Sequence, residues 1–349
     1  MFNIIYISLS IIISILTLII AKNFLGIGLD EKIGTQKIHK KNAFRIGGLS
    51  IVLTTFITNF FIDKNTNDFS IPFLIVSLFF LIGFYEDITR SLSSLRRLIL
   101  SIISASALIL FTSITLNEVD LKFINYFLSY PFIAFSVSVL GVSITSNAWN
   151  FIDGLNGLAS GMASVTLLAF SFIALQSDII IFSNILFSLS MIVLGFFLVN
   201  IFSGQIFLGD GGSYFIGALI AWSGLKLVNL EPLISAWGIF LIIIYPATEF
   251  SFSFLRRLFS GKSPLIADSK HLHSLFYNYI SLTKNSMLKS ISNSISGLIM
   301  IIYGSIPAII SCVIGNNFKQ IIITIILFIL SYISAYIFLL NTNQKTKRF

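Results

Sequence analysis

Long apolar runs separated by short polar loops occupy the chain from residue 3 to residue 340. A membrane-crossing helix needs about 20 apolar residues, and tilt or snorkelling allows somewhat fewer. On that measure the pattern predicts about eleven transmembrane helices, at 3–21, 47–62, 71–85, 97–116, 131–148, 158–176, 179–201, 213–229, 233–254, 292–314 and 319–340. The third run is short, and 121–148 has room for an interfacial helix ahead of its span. The runs at 158–176 and 179–201 are almost contiguous, which requires a tight hairpin. The expected fold is an all-α polytopic membrane protein, one integral-membrane domain over 1–349, with no internal repeat and no soluble domain boundary.

Composition agrees with that class. Of 349 residues, 56% are hydrophobic and 10% charged, which excludes an ordinary soluble domain. The net charge of +8 raises nucleic acid as a partner, but the basic residues follow membrane loops and form no compact patch. The single cysteine, Cys312, lies in an apolar run, so no internal disulfide is expected. The run Ile4–Ile20 lacks a basic n-region and a small-residue cleavage site and is read as a retained first span. Lys and Arg favour the cytoplasmic side of a membrane. With the N-terminus outside and the C-terminus cytoplasmic, only Lys64, Lys122, Lys226 and Lys319 of the 22 Lys and Arg residues fall outside. The same orientation places His39, His271, His273, Glu86, Asp87, Asp153, Asp210, Glu249 and Asp268 at or near the inner face. The inner loops that carry chemistry are then 22–46, 86–96, 147–157, 202–213 and 255–291.

Five stretches there stand out. In Phe207-Leu-Gly-Asp210-Gly-Gly-Ser213 an aspartate sits between apolar runs, where a charge at a helix centre costs about 2.5–3.5 kcal/mol. The glycines allow a sharp turn and bring amides close to an anion; a plain tight turn is the competing reading. Asn147, Asn150, Asp153 and Asn156 recur every third residue, so two or three of them share a helix face. They either converge on a ligand or cap the helix end, and Gly157 with Gly161 also fits a small-residue helix contact. Glu86-Asp87 precede Arg90, Arg96 and Arg97, as a carboxylate pair facing a metal-bound phosphate with arginines for anionic headgroups, or as solvated boundary charges. His271 and His273 lie two apart amid Arg256, Arg257, Lys262 and Lys270, which fits a phosphate-binding loop or an exposed basic loop. His39 and Arg45 run into Gly47-Gly48. Mg²⁺ is held by one or two carboxylates plus substrate phosphates, and Asp87, Asp153 and Asp210 can supply oxygen ligands; a dedicated zinc site lacks its histidine spacing.

In order along 39–276, these stretches resemble the polyprenyl-phosphate N-acetylhexosamine-1-phosphate transferase family, the glycosyltransferases of family 4. The matching elements are His39…Arg45-x-Gly-Gly, Gly83-x-x-Glu-Asp87, Asn147-Ala-x-Asn-x-x-Asp-Gly-x-Asn-Gly-Leu, Phe207-Leu-Gly-Asp-x-Gly-Ser213, Arg256-Arg257 and His271-Leu-His273. The resemblance implies an Mg²⁺-dependent transfer, of EC 2.7.8 type and with Mn²⁺ as a substitute, in a bacterial inner membrane. A UDP-N-acetylamino sugar gives its sugar-1-phosphate to undecaprenyl phosphate and UMP leaves. It also implies the roles. Asp87, Asp153 and Asp210 are catalytic, with Asp210 and Asp153 on the metal. Asn147, Asn150, Asp153, Asn156 and Phe207 hold the nucleotide. His39, Arg45, Arg256, Arg257, His271 and His273 bind the diphosphate and lipid phosphate, and Glu86 and Glu249 are secondary acids.

The chain departs from the family pattern at Glu86 and Asn156, where the family carries aspartate, and around His39, where prolines give way to Asn42 and Phe44. The tri-histidine stretch of the peptidoglycan translocase is absent, which points to lipopolysaccharide O-antigen or capsule-type synthesis. A homodimer is left open. The alternatives are a multispanning transporter, whose polar groups would sit near the midplane, and a non-catalytic family member.

Overall fold

The computed structural model describes residues 2–25, 29–30, 43–59, 67–263, 268, 270–282 and 286–346. Its helices are α1 (Phe2–Ile20), α2 (Gly47–Ile57), α3 (Asn67–Thr89), α4 (Ser94–Thr112), α5 (Lys122–Leu128), α6 (Pro131–Ile152), α7 (Leu158–Gln176), α8 (Ile180–Ser203), α9 (Gly209–Leu230), α10 (Ala236–Ile242), α11 (Ile244–Phe259), α12 (Leu272–Ser281), α13 (Ser286–Ile314) and α14 (Phe318–Thr346). Among the described residues, the strands are β1 (Leu29–Asp30) and β2 (Ala43–Phe44), paired antiparallel. The all-α polytopic class is therefore correct.

Nine helices among the described residues are long and apolar enough to cross a membrane, and a bent pair makes a tenth. One expected span needs correction. The run 233–254 is not one straight helix: α10 and α11 meet at 78°. Pro246 has no N–H to offer the carbonyl four residues back, at Ile242, so the helix breaks between them. The run 47–62 yields α2, of 11 residues, which is too short to span by itself; residues 60–66 lie outside the described set. The short run at 71–85 is the core of a longer helix, since polar Asn67 and Asp68 begin α3 and Glu86–Thr89 extend it.

The nearly contiguous runs do form a hairpin, α7–α8, turning at Ser177–Ile179. Its two helices are laced by serines: Ser164 and Ser190 exchange hydroxyl-to-carbonyl bonds of 3.1 and 2.8 Å, and Ser171 and Ser183 exchange two of 2.8 Å. Small hydroxyl residues let helices approach closely where surrounding lipid offers no hydrophobic drive. Large apolar side chains on the outside, such as Phe132, Phe202 and Val313, are exposed as lipid contact requires.

At the centre stands α9, packed against α2, α3, α6, α7 and α10. Phe215 and Trp222 are fully buried in it, with Phe73 set edge-on to Phe215 and Phe182 edge-on to Trp222. The first turn of α9 meets its neighbours backbone to backbone. A Cβ on Gly83 of α3 would lie 2.3 Å from the Asp210 carbonyl carbon, and one on Gly48 of α2 would lie 2.4 Å from the Gly212 Cα. No side chain fits between the backbones at these two points.

Gly83→Ala is therefore expected to cost on the order of 1–3 kcal/mol through forced backbone shifts and to lower the thermal unfolding midpoint in detergent. Gly141→Ala, where the added methyl meets nothing within 4 Å, is the neutral comparison. Equal midpoints for the two variants would refute the close approach.

Candidate functional site

A strap of backbone hydrogen bonds joins residues 44–48 to 205–208. The Phe44 N–H donates to the Gln205 carbonyl at 2.9 Å, Phe207 to Phe44 at 2.8 Å, Gly47 to Phe207 at 2.8 Å and Gly48 to Leu208 at 2.9 Å. This parallel pairing delivers Arg45 beside the start of α9. Gly209 opens that helix with φ +76°, and a Cβ there would lie 2.6 Å from Asp87 Oδ2 and 2.9 Å from the Arg45 carbonyl oxygen. Only glycine meets both the left-handed backbone and the crowding.

The first-turn amides of α9 have no intrahelical acceptors, and Asp87 takes two of them. Asp87, at the end of α3, accepts from the N–H of Asp210 at 3.1 Å and of Gly211 at 2.9 Å. Asp153 lies just past the end of α6, where the nearby Gly209 N–H favours its charged form. Negative groups are favoured here because the helix N-terminus carries partial positive charge.

Asp210 itself faces cations. Its carboxylate is ion-paired with Arg97, accepts from Asn150 Nδ2 at 2.9 Å and stands 4.0 Å from Arg45 Nη1. Asn150 also donates to Ser213 Oγ at 3.2 Å. Burial pushes the Asp153 carboxyl up to about 7; Arg45 pulls it down and Asp210 pushes it further up. Asp87, Asp153 and Asp210, distant along the chain, thus share one electrostatic neighbourhood with Arg45, Arg97 and Asn150.

The remaining expected residues fall in different places. Asn147 donates to the Ser143 carbonyl at 2.8 Å and to Ser101 Oγ at 3.3 Å, tying α6 to α4. Phe207 lies half-buried in the strap. Asn156 is turned elsewhere: its N–H donates to Asn293 Oδ1 at 2.7 Å and its Nδ2 to Ser294 Oγ at 3.3 Å, both on α13. Glu86 accepts from the Leu92 N–H at 2.7 Å and shapes the α3–α4 loop. Arg256 and Arg257 both engage Asp268, Arg257 Nε at 3.6 Å. His271 and His273 stack parallel with ring centres 5.4 Å apart, and Glu249 bonds to His271 Nδ1 at 3.0 Å. The His273 Nε2 lies 2.4 Å from where a Cβ of Gly154 would stand, so this ring abuts the Asp153 turn. Desolvation holds His273 at about 4, neutral near pH 7. His39 lies outside the described residues.

Sequence reasoning overlooked three contributors. Arg97 reads as one more boundary charge for headgroups, beside Arg96 in the first turn of α4, yet it pairs with Asp210. Asn200 is buried on α8, accepts from the Gly157 N–H and donates to the Ile206 carbonyl, joining the turn after Asp153 to the strap before Asp210. Asp268 gathers Arg256 and Arg257, and nothing in the local sequence marks it.

Asp210 and Asp153 offer carboxylate oxygens, the ligand type of a hard divalent cation, which would take the Asp210 oxygens from Arg97 and Asn150. Among the described residues no three His, Cys, Asp or Glu side chains are placed to hold a metal ion by themselves. Any such ion would complete its coordination with water or a ligand's oxygens.

Because folding raises the Asp153 carboxyl from 3.8 to about 7, the folded state holds its proton more tightly than the unfolded chain. Its stabilising contribution is full below about pH 4, declines as the unfolded chain ionises, and is gone above about pH 7. In chelator, the unfolding midpoint of Asp153→Asn relative to the unsubstituted protein should rise between pH 5 and pH 8. A constant difference across that range would contradict the placement.

Comparison with known proteins agrees with the geometry. Residues 69–228, which carry Asp87, Asn150, Asp153 and Asp210, match the model of glycosyl transferase family 4. A Thermotoga maritima protein named undecaprenyl-phosphate alpha-N-acetylglucosaminyl 1-phosphate transferase is 30% identical over 254 residues, covering 73% of this chain and 75% of the relative. A Bacillus subtilis protein named "Probable undecaprenyl-phosphate N-acetylglucosaminyl 1-phosphate transferase" is 28% identical over 272 residues, covering 74% and 72%. A phospho-N-acetylmuramoyl-pentapeptide-transferase of Prochlorococcus marinus is 28% identical over 217 residues, covering 58% and 60%. With its acidic residues gathered at the head of α9 and most of its length shared with these relatives, the chain belongs to glycosyl transferase family 4.

Proposed function

We propose that this protein transfers a sugar-1-phosphate from a UDP-N-acetylamino sugar to undecaprenyl phosphate, releasing UMP, at the cytoplasmic face of a bacterial inner membrane. The observation that carries the reading is Asp210 held at the head of α9 between Arg97, Arg45 and Asn150, with Asp87 on the adjoining amides and Asp153 near them. The names of the Thermotoga and Bacillus relatives support this donor and acceptor. The excess of Lys and Arg on one set of loops supports the cytoplasmic placement. The absent tri-histidine stretch favours the first membrane step of an O-antigen or capsule-type polysaccharide over peptidoglycan.

In the proposed reaction an oxygen of the lipid phosphate forms a bond to the β-phosphorus. The bond from that phosphorus to the bridging oxygen breaks, and UMP departs with the oxygen and its electron pair. A phosphomonoester with a second pKa near 6 is already largely dianionic at pH 7, so the acceptor needs little help from a base. Phosphoryl transfer is mainly positioning and charge stabilisation. Asp87 suits positioning better than proton abstraction, because its oxygens are committed to the amides of Asp210 and Gly211. Asn150 and the Asp153 turn would hold the uridine and its phosphates. Arg45, Arg97, Arg256, Arg257 and His271 would meet anionic oxygens. Mg²⁺, with Mn²⁺ as a substitute, would be held by Asp210 and Asp153 and would neutralise charge on the diphosphate when bound.

Asp210→Asn is expected to lower UMP release from UDP-N-acetylglucosamine and undecaprenyl phosphate by at least about 10²–10³, the scale of losing one preorganised charge-stabilising group. Its unfolding midpoint should change little. Chelator should abolish release by the unsubstituted protein, and Mg²⁺ should restore it. Unaltered turnover in the variant would remove Asp210 from the mechanism, and turnover in chelator would remove the metal.

A further inference from the structure

Glu249 is fully buried on the apolar helix α11, where a lone carboxylate is costly. Both its oxygens are used. Oε1 bonds to His271 Nδ1 at 3.0 Å, and Oε2 accepts from the Leu272 N–H at 3.2 Å. Ser253, one turn further along α11, donates to Oε1 at 3.4 Å and stands 3.2 Å from the same imidazole nitrogen. One carboxylate therefore anchors the start of α12 and grips one edge of the His271 ring.

The ring is fixed on its faces as well. His273 stacks parallel to it, and Phe151, two residues before Asp153, meets it edge-on with ring centres 5.5 Å apart. A carboxylate at Nδ1 selects the tautomer that carries its proton there and leaves Nε2 as the ring's free polar edge. We infer that Glu249 is a positioning residue that holds His271 in the Nδ1–H tautomer, with Nε2 presented to an anionic oxygen of the diphosphate donor. The inference rests on the transferase reading above. It gives the bend between α10 and α11 a purpose: the bend brings a carboxylate of a membrane helix under the histidine segment.

The chain has three histidines, so ¹⁵N-histidine labelling yields three ring systems, and His271→Asn identifies the one that matters. In the detergent-purified protein the His271 ring should be in the Nδ1–H form. In Glu249→Ala it should shift toward Nε2–H, kcat for UMP release should fall on the order of 10–100-fold, and KM for UDP-N-acetylglucosamine should move less than about threefold. Glu249→Gln keeps an acceptor for both Leu272 and His271, and it should retain the tautomer and most of kcat. The inference is overturned if Glu249→Ala leaves the tautomer unchanged, or if activity falls only in step with the folded fraction. It is also overturned if Glu249→Gln, folded to the same midpoint, loses the tautomer. Should the unsubstituted protein release no UMP while the tautomer still depends on Glu249, the hold on His271 stands and the transferase reading falls.

Discussion

The organising constraint is the placement of two carboxylates at the first-turn amides of α9. Helix starts leave N–H groups without partners, and because Gly209–Gly212 are buried their acceptors must come from the protein. Asp87 accepts two of them from α3, and Asp153 comes near the Gly209 amide from the end of α6. The interaction that completes α9 thereby also gathers three acidic residues. It succeeds only because Gly48, Gly83, Gly209 and Gly212 let backbones come together without intervening side chains.

Gathering carboxylates creates repulsion, and the surrounding cations answer it. Arg97 pairs with Asp210, and Arg45 acts on all three acids. At Asp153, burial and Asp210 outweigh the pull of Arg45, which is why its proton is held near neutrality. Such a balance is responsive to whatever arrives. A phosphate draws on the arginines, and a divalent cation draws on the acids. The same cluster can therefore serve opposite charges presented together, as a nucleotide diphosphate with its cation would present them.

A second limb reaches this centre through α11 and α12. Glu249, His271, His273 and Gly154 form a continuous line from inside the bundle to the turn that holds Asp153. Arg256 and Arg257, on the same bent helix, are held by Asp268. Displacement of α11 would move both the histidines and the arginines together, so the bend is part of the site's construction.

The apolar runs alone determined the class of the protein, most of its helices and the α7–α8 hairpin, because burial in lipid is a property of a contiguous stretch of side chains. Glycine beside aspartate at 209–212 marked the head of α9 for the same local reason. What the runs could not show is how they bend: Pro246 breaks one of them. Nor could spacing reveal partners. Asn150 and Asn156 look equivalent in a three-residue repeat, but α6 ends at Ile152 between them, so one faces Asp210 and the other α13. Arg97 and Asn200 became parts of the site only when α4 packed against α3 and α6, and α8 against α2 and α7. Contacts between distant segments depend on how helices pack, and that information is spread over the whole bundle.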